Sequence, residues 1–391
     1  MVERARPDVD SSSIPVGLYL HLPWCLRKCP YCDFNSYALR GELPAQDYLR
    51  ALLADLEFAR PAVGSRRFAS VYFGGGTPSL FPPEQIAALL DWLRARRLLA
   101  ADAEISLEAN PGAADRGRFA AYRAAGVNRL SLGVQSFDDR SLAALGRVHD
   151  GTAARAAVAA AMEHFHCVNI DLMHGLPGQE LSGALADLGT ALDFGPAQIA
   201  CYQLTIEPNT VFYSRPPTLP PDAVLGAIET AMLERLAAAG YEHYEISAHA
   251  RPGARCRHNL NYWQFGDYLG IGAGAHSKLS VAGRILRQAR LRRPESYQRR
   301  AGTANAIGSE RAVDRQERIF EFMLNALRLR DGFSEALFRE RTGCSLAEAG
   351  SAIARCVDRG WLETAAGGLR ATADGRRWLN RLLQEFLPAP A

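Results

Sequence analysis

Three cysteines within eight residues, Cys25-Leu-Arg-Lys-Cys29-Pro-Tyr-Cys32, carry the clearest chemical signal in this 391-residue chain. The other five, Cys167, Cys201, Cys256, Cys344 and Cys356, are scattered. One tight group among scattered single cysteines points to metal binding rather than to a disulfide framework. Thiolates are the ligands of iron–sulfur clusters, and three of them on a four-iron cluster leave one iron open to a small chelate. Structural zinc wants four protein ligands, and no obvious fourth follows. A redox pair of Cys29 and Cys32 would leave Cys25 without a role. On these residues alone, zinc and redox chemistry stay open as the weaker readings.

The elements that must hold this motif follow one grammar from residue 16 to about 247. Short apolar runs at Val16–Pro23, Ala69–Gly76, Glu104–Pro111, Arg129–Ser136, Cys167–Pro177 and Gln198–Thr205 read as strands. Their near-continuous hydrophobicity predicts parallel strands covered on both faces. Between them lie helical patterns, clearest at Ala45–Ala59, where Ala45, Tyr48, Leu49, Leu52, Leu53 and Leu56 form one stripe. Notable polar residues cluster at strand C-terminal ends: the cysteines, Gly74–Thr77, Glu108, Gln135 and Asp171. That distribution builds a barrel active site, so the expectation is an α/β fold with a partial (βα)6 TIM-like barrel, curled but not closed.

Four segments are expected. Residues 1–15 lack an apolar stretch and read as a flexible tail, not a signal peptide. Residues 16–247 form the barrel, with Pro-rich 206–222 as a loop at its mouth. Residues 248–310 read as irregular and rich in Gly and Arg. Residues 311–391 read as helix, helix, helix, hairpin, a small winged-helix-like domain. No recognition helix rich in Lys or Arg stands out there, so it is expected to pack on the barrel and no nucleic acid is expected. The net charge is +3, with two lysines (Lys28 and Lys278) against 43 arginines and 42 acids, a balance that says little about nucleic acid. Arg284–Arg300 holds seven arginines and one acid, Glu295, and reads as a solvated face or as a cationic partner for carboxylates. No run of eighteen apolar residues spans a membrane, and a cytoplasmic protein is expected.

The cysteine motif after the first strand resembles the signature of the radical-SAM superfamily. That resemblance implies a 4Fe-4S cluster on Cys25, Cys29 and Cys32, S-adenosylmethionine chelated to the open iron, and reductive release of a 5′-deoxyadenosyl radical. Five ordered motifs, GLYLHLPWCLRKCPYCDF, VYFGGGTPS, EISLEANP, RLSLGVQSF and NIDLMHGLPGQ, are similar to the oxygen-independent coproporphyrinogen III oxidase family. Carried over, its S-adenosylmethionine contacts fall on Tyr19, Gly75, Gly76, Thr77, Glu108, Gln135, Arg147 and Asp171. Glycines would let backbone approach the methionyl ammonium group, and Arg147 could fork onto the methionyl carboxylate.

Two departures separate the chain from the oxidase itself. Phe34 stands where the oxidase pattern has a fourth cysteine, and only about fifteen residues precede the first strand. Both resemble the HemW branch, whose members act as haem chaperones, and His258-Asn259-Leu260-Asn261-Tyr262-Trp263 fits that branch's haem-associated pattern. The resemblance implies haem as cargo, with His258 as an axial ligand in an exposed loop and His276 as a second candidate. Haem-accepting proteins such as respiratory enzymes and an electron donor for the cluster are the implied partners, with peripheral membrane contact and a homodimer as further expectations. Porphyrinogen decarboxylation and radical chemistry on another substrate are the competing functions.

Overall fold

Each of the six expected strands forms: β1 (Val16–Leu22), β2 (Phe68–Gly75), β3 (Leu99–Ala109), β4 (Arg129–Gln135), β5 (Cys167–His174) and β6 (Gln198–Gln203). In this computed structural model, which describes residues 9–112, 116–365 and 367–388, they lie side by side in chain order and all parallel. Helices α1 (Ala45–Ala59), α2 (Pro83–Ala95), α3 (Phe119–Ala125), α4 (Gly151–His164), α5 (Leu181–Asp193) and α6 (Asp222–Ala238) alternate with them. Parallel neighbours require such crossovers.

The strands are not apolar on both faces. Val71, Phe73, Ile105, Leu107, Leu130, Leu132, Ile170 and Leu172 are buried in the core that also takes Leu52 and Leu56 of α1 and Leu89, Leu90 and Leu93 of α2. The alternate positions, among them Tyr72, Ser106, Ser131, Asn169 and Gln198, line a single cavity. One face of five strands therefore curls around one space, and that face is polar because it meets a cavity rather than a packed core.

The sheet continues past both ends of this arc. Beyond β6 come β8 (Ala248–Ala250) and then β7 (Glu242–His243), both antiparallel to their neighbours. On the other side β9 (Asp267–Ile271) runs parallel to β1, followed by antiparallel β10 (His276–Val281), β11 (Arg284–Arg290) and β12 (Ile307–Val313). Among the described residues no pairing joins β7 to β12, so the twelve-stranded sheet stays open. Residues 248–310 thus contribute strands to the large sheet, plus helix α7 (Arg257–Trp263), rather than being irregular throughout. Arginine on edge strands and glycines in the tight turns between them hide the periodicity in the sequence.

The C-terminal part holds α8 (Arg315–Ala326), α9 (Glu335–Thr342) and α10 (Gly350–Asp358) with a three-stranded sheet of Phe333–Ser334, Gly368–Ala371 and Leu362–Ala365. Asp314 starts α8 in a capping box with Glu317. Phe322 meets Phe333 and Phe338 edge-on in its core. Phe265 in the turn before β9, and Ile285 and Val313 of the large sheet, join the same core. So do Val9 and Ile14, 2% and 1% exposed, which corrects the expected flexible tail from residue 9 on. Two apolar side chains in a polar stretch suffice to pin it. Residues 1–8 lie outside the described residues. No helix among the described residues is long and apolar enough to cross a membrane.

Candidate functional site

The cavity, about 540 Å3, opens at the C-terminal ends of the strands, where the cysteine loop follows β1. Backbone pairing of Trp24–Cys25 with Tyr37–Ala38 closes that loop. Cys25, Cys29 and Cys32 are half-buried, unpaired by disulfides, and all three line the cavity. Burial pushes the Cys25 thiol up, with Thr77 hydrogen-bonding it. Ser36 Oγ lies 3.7 Å from Cys32 Sγ, and Arg147 Nη1 lies 3.6 Å from Cys29 Sγ. Cations and hydroxyls at thiols are what stabilise bound thiolates.

The Gly-rich turn after β2 presses on this loop. Gly75 has φ +115°, and a Cβ there would meet the His21 ring at 2.6 Å. A Cβ on Gly76 would strike the Trp24 carbonyl oxygen at 2.6 Å. These glycines are required by protein packing as well as by any ligand. Thr77 N donates to Trp24 O at 2.8 Å, and its Oγ1 accepts from Asn110 Nδ2 at 2.9 Å.

Two carboxyls face each other across the cavity. Glu108 accepts from Tyr72 OH at 2.9 Å and Gly75 N at 3.2 Å. Burial, reinforced by nearby Asp171, raises it to about 7. Asp171 accepts from Asn169 Nδ2 at 2.7 Å and Ser131 Oγ at 3.2 Å, and burial raises it to about 6. Each is therefore poised to gain by meeting a cation or a donor hydroxyl.

Gln135 ends β4 at φ +70° and accepts from Tyr202 OH. A left-handed non-glycine residue at a strand end is strain that marks functional sites. Arg147 is largely committed: Nη2 donates to Asn110 Oδ1 at 2.5 Å and Gly133 O at 2.7 Å, while Nε has no partner. A free fork onto a carboxylate is not what the fold presents.

Ten of the twelve expected residues line this one cavity. Tyr19 and His258 do not. Tyr19 OH bonds His21 Nδ1 at 3.0 Å, and its ring stacks on Tyr72. His258, expected in an exposed loop, sits in the first turn of α7. Its Nδ1 is 2.9 Å from Ser70 Oγ, and its ring stacks on Tyr72 with centroids 4.9 Å apart. Burial pushes its imidazole down to about 4. The helix in place of a loop is explained by Glu104, which accepts from Arg257 N and His258 N, each at 3.0 Å, and from Cys256 Sγ at 3.4 Å. An acid on those donors caps a helix where the sequence reads as loop.

Sequence reasoning missed Glu104, Asn110, Ser106, Asn169 and Tyr202. Counting by twos back from Glu108 and Asp171 along β3 and β5 finds Glu104, Ser106 and Asn169. No sequence signal marks Tyr202 or Asn110.

The donor set fits a cluster and a bound cationic nucleoside. Among the described residues no three His, Cys, Asp or Glu side chains converge on a single-ion site, whereas a four-iron cluster takes one thiolate per iron. Ser106 Oγ, Asn169 Oδ1 and Arg147 Nε are buried polar atoms without partners, and all three residues line the cavity. Such atoms call for a polar occupant or water.

Residues 19–188 match the radical SAM superfamily and residues 313–378 the HemN C-terminal domain. The chain is 46% identical to heme chaperone HemW of Escherichia coli, covering 95% of this chain and 98% of that one. It is 36% identical to the mitochondrial radical S-adenosyl methionine domain-containing protein 1 of Bos taurus, covering 99% and 92%. The solved coproporphyrinogen III oxidase HemN of Escherichia coli, a radical SAM enzyme, superposes with a TM-score of 0.80 at 25% identity, covering 95% and 90%.

Proposed function

The chain belongs to the HemW family of radical SAM proteins, and from that premise we propose that it is a haem chaperone that binds haem and hands it to acceptor proteins. The observation that carries this reading is similarity to heme chaperone HemW along 95% of the chain, C-terminal domain included. We assign Cys25, Cys29 and Cys32 to a 4Fe-4S cluster, and Gly75, Gly76, Thr77, Glu108, Gln135, Arg147 and Asp171 to S-adenosylmethionine. A reduced cluster held by these thiolates would supply single electrons to the sulfonium of bound S-adenosylmethionine. The protein's own part is to orient and to exclude water. Glu108 and Asp171 offer carboxylates to cationic or hydroxyl groups, Arg147 braces Cys29, and Thr77 braces Cys25.

Phe34, 61% exposed, offers no thiol where the oxidase pattern has its fourth cysteine, which favours the chaperone over decarboxylation. Eight free cysteines suit a reducing cytoplasm, where we place the protein. Acceptors embedded in respiratory membranes would give it peripheral membrane contact, and the homodimer belongs to the same reading. Haemin titration of cluster-loaded protein is expected to give a saturable Soret band. Parallel incubation of reduced protein with coproporphyrinogen III and S-adenosylmethionine is expected to leave the propionates intact. Decarboxylated product with no Soret band would replace the chaperone by the oxidase.

A further inference from the structure

A haem carrier must offer an iron ligand, an apolar wall for the macrocycle and cations for two propionates. Of the nine histidines, two are exposed, His166 and His276. His166 precedes β5, at the end of the barrel opposite the cysteines. His276 opens β10, and the turn leading into it is clamped to the cysteine loop: Asn35 Nδ2 donates to Ala273 O at 2.9 Å and to Arg292 O at 3.0 Å. Tyr37 OH donates to the same Arg292 carbonyl at 3.1 Å.

The surroundings of His276 are unlike those of His258. Its strand neighbour across β11 is Ala289, and Gly270 of β9 lies against its backbone, so neither of these two facing residues carries a side chain larger than a methyl. Among the described residues no hydrogen bond engages its ring, and burial together with Arg287 and Arg292 holds the imidazole below its usual range, in the neutral form that ligates iron. Arg292 and Arg293 are exposed, and Arg292 reaches only weakly to Asn35 Oδ1 at 3.5 Å. Phe34, beside Asn35, supplies an exposed phenyl face at the mouth of the cavity. His258, by contrast, is stacked on Tyr72 under Ser70, and a macrocycle on its free nitrogen would require the aromatic floor of the barrel to move.

We propose that His276 is the axial ligand of the haem iron, with Phe34 against the porphyrin and Arg292 paired with a propionate. This rests on the haem-chaperone reading and names its cargo site, next to the cluster loop rather than at the α7 motif. The motif then acts as barrel floor, and its contribution to haem binding is indirect.

Haemin is titrated into cluster-loaded wild type, His276→Ala, His258→Ala and Arg292→Glu, reading the Soret band and, by circular dichroism, the fold. His276→Ala is expected to shift the Soret band toward that of free haemin and to weaken binding by about ten-fold or more, with added imidazole restoring the band. His258→Ala should keep the wild-type Soret position. Arg292→Glu should weaken binding at low salt more than at high salt, because an exposed ion pair is screened. An unaltered spectrum in His276→Ala, or its loss in folded His258→Ala alone, overturns the assignment while leaving the chaperone reading intact. Absence of haem binding by wild type overturns both.

Discussion

Glu108 carries its charge at a cost that can be measured. Its carboxyl is raised from 4.5 to about 7 by burial and by Asp171, so the folded state holds a proton that the unfolded chain releases. Ligand-free stability contributed by this group is present below about pH 4.5 and is lost as pH rises to about 7. Asp171, raised to about 6, adds the same sign over a lower window. Glu108→Gln is therefore expected to abolish the fall in melting temperature between about pH 6 and 7 and to melt higher than wild type above it. S-Adenosylmethionine binding, in the same variant, should weaken by about ten- to a hundred-fold for one lost charge-assisted hydrogen bond. A variant that melts and binds as wild type does at every pH would make Glu108 an ordinary strand-end residue. The cysteines, Glu108, Gln135 and Asp171 are legible in the chain because motif and strand-end position coincide. The exposed loop expected around His258 is the instructive failure: a glutamate 154 residues away caps a helix there, and the ring stacks on tyrosine.

At the scale of elements, β3 is the piece that links both ends of the barrel. Its Glu108 is one half of the carboxylate pair, while Glu104, four residues earlier on the same face, holds the N-terminus of α7. Arg129 of β4 lies 3.8 Å from Glu104 and donates to Gln198 of β6, so three strands meet in one polar floor. Glu104→Ala leaves Arg257 N and His258 N without their acceptor and Arg129 without its acid. It should cost about 2–4 kcal/mol of stability, more than a simple exposed cap. Hydrogen exchange at the α7 amides, residues 257–263, should rise most, with β1 and β2 amides unaffected. Uniformly faster exchange across the barrel would mean global destabilisation and no local cap. Six βα units are readable because each pairs a short strand with a helical stripe. Strands β11 and β12 toward the sheet's edge are not, since Arg287, Arg290 and Arg311 sit where half-buried strands ordinarily carry apolar residues.

For the whole molecule, the junction of barrel and C-terminal domain rests on a buried ionic knot. Asp267 receives Lys278 Nζ at 3.1 Å, Arg66 Nη1 at 2.7 Å and Ser280 N at 2.8 Å, and Lys278 Nζ also donates to Phe265 O at 2.7 Å. Lys278 and Arg66 outweigh burial and hold the Asp267 carboxyl below its usual range. Phe265 belongs to the C-terminal core, so this knot ties the two parts. Asp267→Ala strands two cations in the interior and should cost about 3–5 kcal/mol. Adding Lys278→Met should recover part of that loss, since one of the two uncompensated charges is then gone. Urea midpoints of the three proteins measure both effects, and a harmless Asp267→Ala would show that water reaches the knot. One of only two lysines in the chain is thus committed to architecture.

What the sequence by itself determined is whatever depends on neighbours in the chain: the cysteine spacing, the strand–helix alternation, the family motifs at strand ends and the three-helix C-terminal layout. These follow from local periodicity and short ligand spacing, which survive without tertiary context. What only the tertiary structure decided is whatever depends on a partner far away in the chain. Asp55 pairs with buried Arg290 from 235 positions off, Glu104 caps the helix at residues 257–263, and Val9 and Ile14 dock a polar-looking tail onto a distant core. The residues that face His276 from two other strands, Ala289 and Gly270, are small. The physical reason is common to all four: burial and charge compensation are properties of a place in the fold, and no window of sequence contains both halves of the pair.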